Sequence, residues 1–498
     1  MIETILNILK PSILLPWLLS MAFGIFVGGM PGLTATMAVA LIIPISYYME
    51  PLAGLAMVIG ASFTAIFAGD IPATFLRIPG TPASGAATLD GYEMNKKGLG
   101  DIAISLDLVC SAFGGIIGVL ILIFVSPPLA KFALKFSHFE YFWLGIFGLS
   151  MSAVISKGNT IKGLISATLG LLISTIGMDI TTGYPRFSFG NPELYNGVSF
   201  IPAMIGLFGI SEVLKYLQDS EKLKLSGTVS RIKASISKVL STVFKKIGNV
   251  LSSAIVGTVI GALPGAGADI AAWVSYGIAK KFSKNRDNFG KGEIDGVIAP
   301  TSANNAALGG TWIPALVFGL PGDSITAIVL GAMLMYGLRP GPLIFQENGD
   351  LLKQMFTIAI ITQFLLLVVG YLGIKLYSLV LRMPKNVLMV YVTVFSIVGA
   401  YAIRNSMFDV LLVAIFGVIG YLMESIKMPL APMILGIILG PMIEENFRVG
   451  LIKTEGSFLP FLERPISLVL FIIVIFTFAS DPIFRFAKSA FNKKNVKT

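Results

Sequence analysis

Six polar side chains stand in apolar sequence where water would be scarce. Asp70, Asp90, Asp269 and Asp323 each lie near a Pro- or Gly-rich interruption, and Asn304 and Asn305 are adjacent amides in an apolar run. An ionisable group inside a membrane segment is costly and is a functional candidate by default. Combined with hydroxyls and freed backbone carbonyls, these carboxylates suit a hard cation such as sodium, or a proton relay. Asp269, Asp323 and Asp70, with the carbonyl region of Gly265, are the expected ion ligands. The adjacent amides are equally costly unless something hydrogen-bonds them. Small hydroxyls gather at the same places, among them Thr34, Thr81, Ser84, Thr88 and Ser324. Ordinary helix packing accounts for Ser84 or Thr88 taken singly. Asp90 has a plainer alternative, a membrane surface beside Lys96 and Lys97. Arg77 also falls near a break, where it could neutralise Asp70 or meet a carboxylate bidentately.

The elements that must position these residues are broken helices. Residues 28–36 read GGMPGLTAT and 261–269 read GALPGAGAD, with four of nine positions identical at an offset of 233. Residues 72–80 read PATFLRIPG and 314–322 read PALVFGLPG, again with four of nine identical, at an offset of 242. Two ordered pairs, each centred on Pro-Gly, imply two related halves. Pro removes an N–H and Gly frees the backbone, so each helix breaks there. A break exposes N–H groups at one half-helix start, which attract anions, and carbonyls at the other end, which hold cations. Paired interruptions of this kind point to a binding site near the middle of a membrane.

Composition and charge set the environment. Of 498 residues, 55% are hydrophobic and only 13% charged, about half the ~25% of a soluble domain. A soluble enzyme is excluded. The length allows roughly a dozen membrane segments at ~20 residues each. The net charge of +10 is concentrated in three segments: residues 218–248 carry +5, 280–293 carry +3 and 485–498 carry +5. The positive-inside rule places all three in the cytoplasm, which explains them without nucleic acid. Residues 178–199 and 342–350 then lie outside. Both 218–248 and 280–293 are inside, so the apolar stretch 250–279 must enter and return on one side as a re-entrant hairpin, its tip at 261–267. Such a tip survives only when buried in protein or lining a wet cavity. The first copy's returning arm leads to Tyr47 to Pro51 without a basic residue, which favours inverted over parallel halves. No basic leader precedes the first apolar run, Ile13 to Val27, so insertion by the first span is expected.

A single Cys (Cys110) and a single His (His138) remove other chemistry. An internal disulfide, a Cys/His zinc site, a c-type haem and an iron–sulfur cluster cannot be built from them. No cofactor is called for, and His138 reads as an interfacial polar residue.

At these motifs the chain resembles the large membrane subunit (TctA-type) of the tripartite tricarboxylate transporters. The resemblance covers nearly the whole chain and rests on GGMPGLTATMAVALIIP (28–44), IPGTPASGAATLDGYEMNKKG (78–98), RFSFGNPEL (186–194), GALPGAGADIAAWVSY (261–276), SANNAALGGTWIPALVFGLPG (302–322) and GLRPGP (337–342). It implies a secondary transporter for organic anions, typically carboxylates, driven by sodium or protons. It also implies a small four-span membrane subunit and an extracytoplasmic solute-binding protein. The chain departs from the family pattern at Thr301, where an acid is common, at Asp323, where a small residue is common, and at Asp70 and Arg77.

The sequence therefore predicts an all-α polytopic membrane protein of the cytoplasmic membrane, C-terminus inside, and not an enzyme. Residues 1–217 form a first transmembrane repeat, 218–249 a basic linker, 250–480 a second repeat and 481–498 a basic tail. The expected activity is import of a di- or tricarboxylate by cation symport with alternating access. Substrate would meet Pro31, Gly32, Thr34, Gly80, Thr81, Ser84, Asn304, Asn305, Gly322 and Ser324. A channel is the rival reading, discriminated by saturation and counterflow. An intramembrane aspartyl protease fits poorly, since Gly265 to Asp269 has one residue too many for a Gly-x-Gly-Asp motif. The reading leaves room for a homodimer.

Overall fold

The computed structural model describes residues 6–30, 33–155, 160–179, 182–219, 236–380 and 385–477. Pro31 and Gly32, the core of the basic linker (220–235) and the basic tail lie outside the described residues. The chain forms two compact units, residues 1–131 with 201–422, and residues 132–200 with 423–498. These units cut across the two sequence halves.

The first unit opens with α1 (Pro11–Gly28), α2 (Ala35–Ser46), α3 (Pro51–Ala68), α4 (Asp70–Leu76), α5 (Ser84–Lys96) and α6 (Gly100–Ala133). The second unit begins with α7 (His138–Ile155) and α8 (Thr160–Ser174). The chain re-enters the first unit with α9 (Phe200–Met204), a π-helical turn and α10 (Ser211–Asp219). Then come α11 (Ile236–Lys245), α12 (Ile247–Gly261), α13 (Gly267–Phe282), α14 (Ile294–Phe318), α15 (Ser324–Met335), α16 (Ile344–Glu347), α17 (Gly349–Val380), α18 (Lys385–Arg404) and α19 (Met407–Ser425). The second unit closes with α20 (Ala431–Lys453), α21 (Pro460–Glu463) and the apolar helix α22 (Pro465–Thr477). Six helices among the described residues are long and apolar enough to cross a membrane, or seven if the pair bent by 76° at α11–α12 is one span. The chain is a multi-pass membrane protein.

The breaks arise from local chemistry. Thr34 caps α2 by accepting the Met37 N–H at 3.2 Å, and Pro51 opens α3 at a position where its missing N–H costs nothing. Helix α4 ends on Arg77, held left-handed at φ 59°, with Ile78 N–H closing back to Pro72 O at 3.3 Å. Helix α14 ends in the same way, on Gly319 at φ 71°, with Leu320 N–H closing to Pro314 O at 3.2 Å. Such a closing bond satisfies an orphan carbonyl and lets the chain leave the helix axis. Each end is followed by Pro-Gly and a new helix start.

Helix contacts recur at the same offsets. A methyl placed on Gly28 would lie 2.3 Å from Ala65 O, and one on Gly261 would lie 2.3 Å from Ala307 O. Backbone touches backbone there, which only small residues permit. Helices α12 and α13 have 15 and 16 residues. At ~1.5 Å per residue each reaches about 23–24 Å, short of a ~30 Å hydrocarbon core.

In the second unit α20 packs on both α7 and α8. Phe139, Phe142, Trp143, Phe447 and Phe461 form an aromatic cluster. Arg186, at the start of the RFSFGNPEL loop, forks onto the Glu444 carboxylate at 2.6 and 3.1 Å. Arg448 bridges the same Glu444 at 2.9 Å to Asp179 at 2.7 Å, which pins that loop to α20.

Candidate functional site

Two helix starts in the first unit define the site. At the first, Gly80 N–H donates to Gly69 O at 3.0 Å. Thr81 Oγ1 accepts the Ser84 N–H at 3.1 Å and lies 2.7 Å from Ser84 Oγ, so it caps α5. At the second, Gly265 N–H of the hairpin tip donates to Gly322 O at 2.8 Å. Asp323 Oδ1 accepts the Thr326 N–H at 2.7 Å and stands 2.5 Å from the Thr326 hydroxyl. Asp323 therefore caps α15. Both helix starts carry the positive end of a helix dipole at a break.

The two breaks are laced together. Thr36 Oγ1 of α2 lies 3.1 Å from Ser324 Oγ at the second break. Asp269 Oδ1 of α13 accepts the Ala83 N–H at the first break, at 3.1 Å. Thr36 and Asp269 occupy corresponding positions of the two nine-residue motifs, at the offset of 233. Each hairpin thus contacts the break of the other half. Trp273 Nε1 adds a bond to Pro82 O at 3.1 Å. Gly267 sits against the Asp323 side chain, which a methyl there would meet at 2.6 Å. The start of α13 therefore touches both breaks.

Beside this lattice lie buried groups without partners. Asn304 is 2% exposed and Asn305 fully buried. Asn304 Oδ1 and both polar atoms of Asn305 have no hydrogen-bond partner. Leaving such groups unpaired costs about 1–3 kcal/mol each. Asp70 is fully buried, with Ser84, Asp107 and Asn304 around its carboxyl. Neither of its oxygens completes a hydrogen bond. Asp107, 1% exposed within α6, accepts Ser111 Oγ on Oδ1 at 3.1 Å, while its Oδ2 has no partner. Asp107 is not among the residues singled out by their neighbouring breaks; its sequence signal is that it is the lone acid in the apolar stretch 102–126.

Other singled-out residues are placed differently. Asp90 is fully buried and saturated. Its Oδ1 accepts the N–H groups of Gly290, Gly292 and Glu293 at 2.8–2.9 Å, and Oδ2 accepts Tyr276 Oη at 2.9 Å. It is a latch between α5 and the loop before α14, with no valence left for an ion. Arg77 is exposed and lies over the Tyr92 ring, 5.6 Å from its centroid, not against Asp70. Thr34 Oγ1 accepts the Met37 N–H as the α2 cap, which leaves its O–H to donate. A cleft of about 480 Å³ runs along the hairpin between α12 and α13, lined by Asn249, Ser252, Ser253, Ser275 and Asp295 among others.

Known proteins share this sequence pattern. The Tripartite tricarboxylate transporter TctA family profile matches residues 14–435. A protein of Agrobacterium vitis described as "Uncharacterized 52.8 kDa protein in TAR-I ttuC' 3'region" is 34% identical over 446 residues, 89% of this chain and 88% of that protein. A second, "Uncharacterized protein in TAR-II ttuC' 3'region" of the same organism, is 35% identical over 211 residues, 42% of this chain and 87% of that protein. No solved structure matches the chain. The family is one of transporters rather than enzymes, and a match across most of the chain, together with the motif lattice, means that the chain belongs to the Tripartite tricarboxylate transporter TctA family.

Proposed function

We propose that the chain is the permease subunit of a tripartite system, importing a di- or tricarboxylate across the cytoplasmic membrane by cation symport. The observation that carries this reading is the buried, unpartnered amide of Asn305 next to Asn304, which in turn lies with Ser84, at the start of α5, around Asp70. Amides so placed are costly unless a ligand uses them. A carboxylate supplies acceptors for the Asn305 amide N–H, for the Thr81 and Ser324 hydroxyls, and for the N–H groups near Gly80 and Gly322. Sodium or a proton would be the coupling ion, held by Asp70, Asp269 or Asp323 and by carbonyls near Gly265. Pro31 and Gly32 belong to the first hairpin tip by sequence.

The matched contacts at Gly28 and Gly261, and the matched ends at Arg77 and Gly319, support two related halves. The charge pattern supports their inversion, with the C-terminus cytoplasmic and 250–279 re-entrant. Alternating access would be rigid-body movement of the site-bearing elements, with the hydroxyl-lined cleft along α12 and α13 as the cytoplasmic water path. A four-span subunit and an extracytoplasmic binding protein would complete the assembly. The test is uptake of labelled carboxylates into proteoliposomes under a sodium or proton gradient. Asn305→Ala should abolish saturable uptake. Full uptake by that variant would remove Asn305 from the site.

A further inference from the structure

The facing acids of α4 and α6 carry a more specific assignment. Asp70 and Asp107 are adjacent, 0% and 1% exposed, on helices inside the membrane-spanning unit. Besides each other, the titratable group facing them is the Cys110 thiol, one turn beyond Asp107. No basic side chain among the described residues joins them; Arg77 is turned to Tyr92. Two bare carboxylates in so dry a place repel each other and lose their hydration, and the pair persists only if positive charge is bound to it.

The unpartnered atoms say which kind of charge. Asp70 Oδ1 and Oδ2, Asp107 Oδ2 and Asn304 Oδ1 all lack a partner, and all four are acceptors. An anion would bring further acceptors, and a neutral donor such as water would satisfy single atoms but leave the charge of two buried carboxylates uncompensated. A cation supplies what is missing. Ser84 Oγ stands beside Asp70 as a further oxygen, so the donors are uniformly hard, which excludes a soft metal. With only two carboxylates, and no group of three or more acids, His or Cys among the described residues, the set suits a proton or a monovalent cation better than a divalent cage.

We propose that Asp70 and Asp107, with Asn304 and Ser84, form a monovalent-cation site that loads sodium or a proton and couples it to transport. The coupling role rests on the permease reading above; cation binding does not. The Asn304–Asn305 pair then joins two sites, one amide turned to the cation and its neighbour available to substrate. Cation occupancy would set the position of Asn305 through the α14 backbone.

The test uses the full-length protein in lipid nanodiscs without substrate. Melting is followed calorimetrically in sodium against choline at constant ionic strength, and from pH 8 to pH 5. If sodium is the ligand, each tenfold rise above its dissociation constant adds a constant increment of about 1–3 °C. If a proton is the ligand, the increment comes with falling pH and sodium adds nothing beyond choline. In either arm Asp107→Asn, which keeps shape and removes charge, should lose the response, and Asp70→Asn should do the same should the first variant not fold. A wild-type protein indifferent to both sodium and pH, or an unchanged response in a folded Asn variant, overturns the proposal. Proteoliposomes separate this from the parent reading. Asp107→Asn should lose the dependence of carboxylate uptake on the sodium or pH gradient, and gradient-driven accumulation as in wild type would overturn the coupling role. A wild type that binds cation yet carries no carboxylate would overturn the permease reading alone.

Discussion

Replacing Gly322 by Ala perturbs the site with the smallest possible change. A methyl at this position would stand 2.6 Å from Thr311 Cα and 2.8 Å from Gly261 O. Carbon atoms approach comfortably at about 3.5–4.0 Å, so one side must retreat by roughly 1 Å. Both neighbours are backbone, one in α14 and one at the end of α12, and neither can rotate away. The Gly322 carbonyl also holds the Gly265 N–H at 2.8 Å, so the hairpin tip moves too. Overpacking of this kind costs about 1–3 kcal/mol. If the displaced arrangement is the one that loads substrate, the same energy weakens loading by about 5- to 150-fold. Cys110 is the only cysteine and is fully buried, so a thiol-reactive fluorophore reports unfolding in a heating ramp. Uptake in proteoliposomes reads loading. Gly80→Ala should behave alike, because its methyl would lie 2.7 Å from Gly69 Cα and 2.8 Å from Gly28 O. Gly277→Ala is the control: nothing lies within 4 Å of its methyl, and a helical Gly→Ala change should gain up to about 1 kcal/mol. Wild-type melting and wild-type uptake in Gly322→Ala would refute the argument from close backbone approach.

The remaining expectations concern the supports of the site. Arg77→Gly should raise stability by about 1 kcal/mol in the same thiol melt, by relieving a side chain held at φ 59°, whereas Arg77→Ala should not. Asp90→Ala strands three N–H groups and the Tyr276 hydroxyl; a loss of about 3 kcal/mol or more is expected, against about 1 kcal/mol for Tyr276→Phe. An Asp90→Ala protein that melts normally but fails in uptake would move Asp90 from latch to site.

What was legible in the sequence was what is local. Pro-Gly pairs break helices, so the breaks at 79–80 and 321–322 and the turn at 262–266 between α12 and α13 could be read directly. Asp269 and Asp323 were readable as site candidates because they adjoin those breaks. The fates of Asp90 and Asp107 were not readable, because each depends on distant chain. Asp90 is saturated by a loop some 200 residues away, and Asp107 gains its meaning only when α6 meets Asp70. The left-handed Arg77 was hidden by its identity, since an arginine does not announce such a turn. Its alignment with Gly319 at the offset of 242 held the clue.

The crossed contacts carry a consequence for assembly. Thr36 reaches the helix start at Ser324, and Asp269 reaches the one at Ala83, so each half supplies the lid of its sibling's socket. A chain severed between 219 and 236 should therefore rejoin when both pieces are made together. Either piece alone would present a socket without its lid. The two crossed contacts are unequal, with hydroxyls alone on one side and a carboxylate on the other.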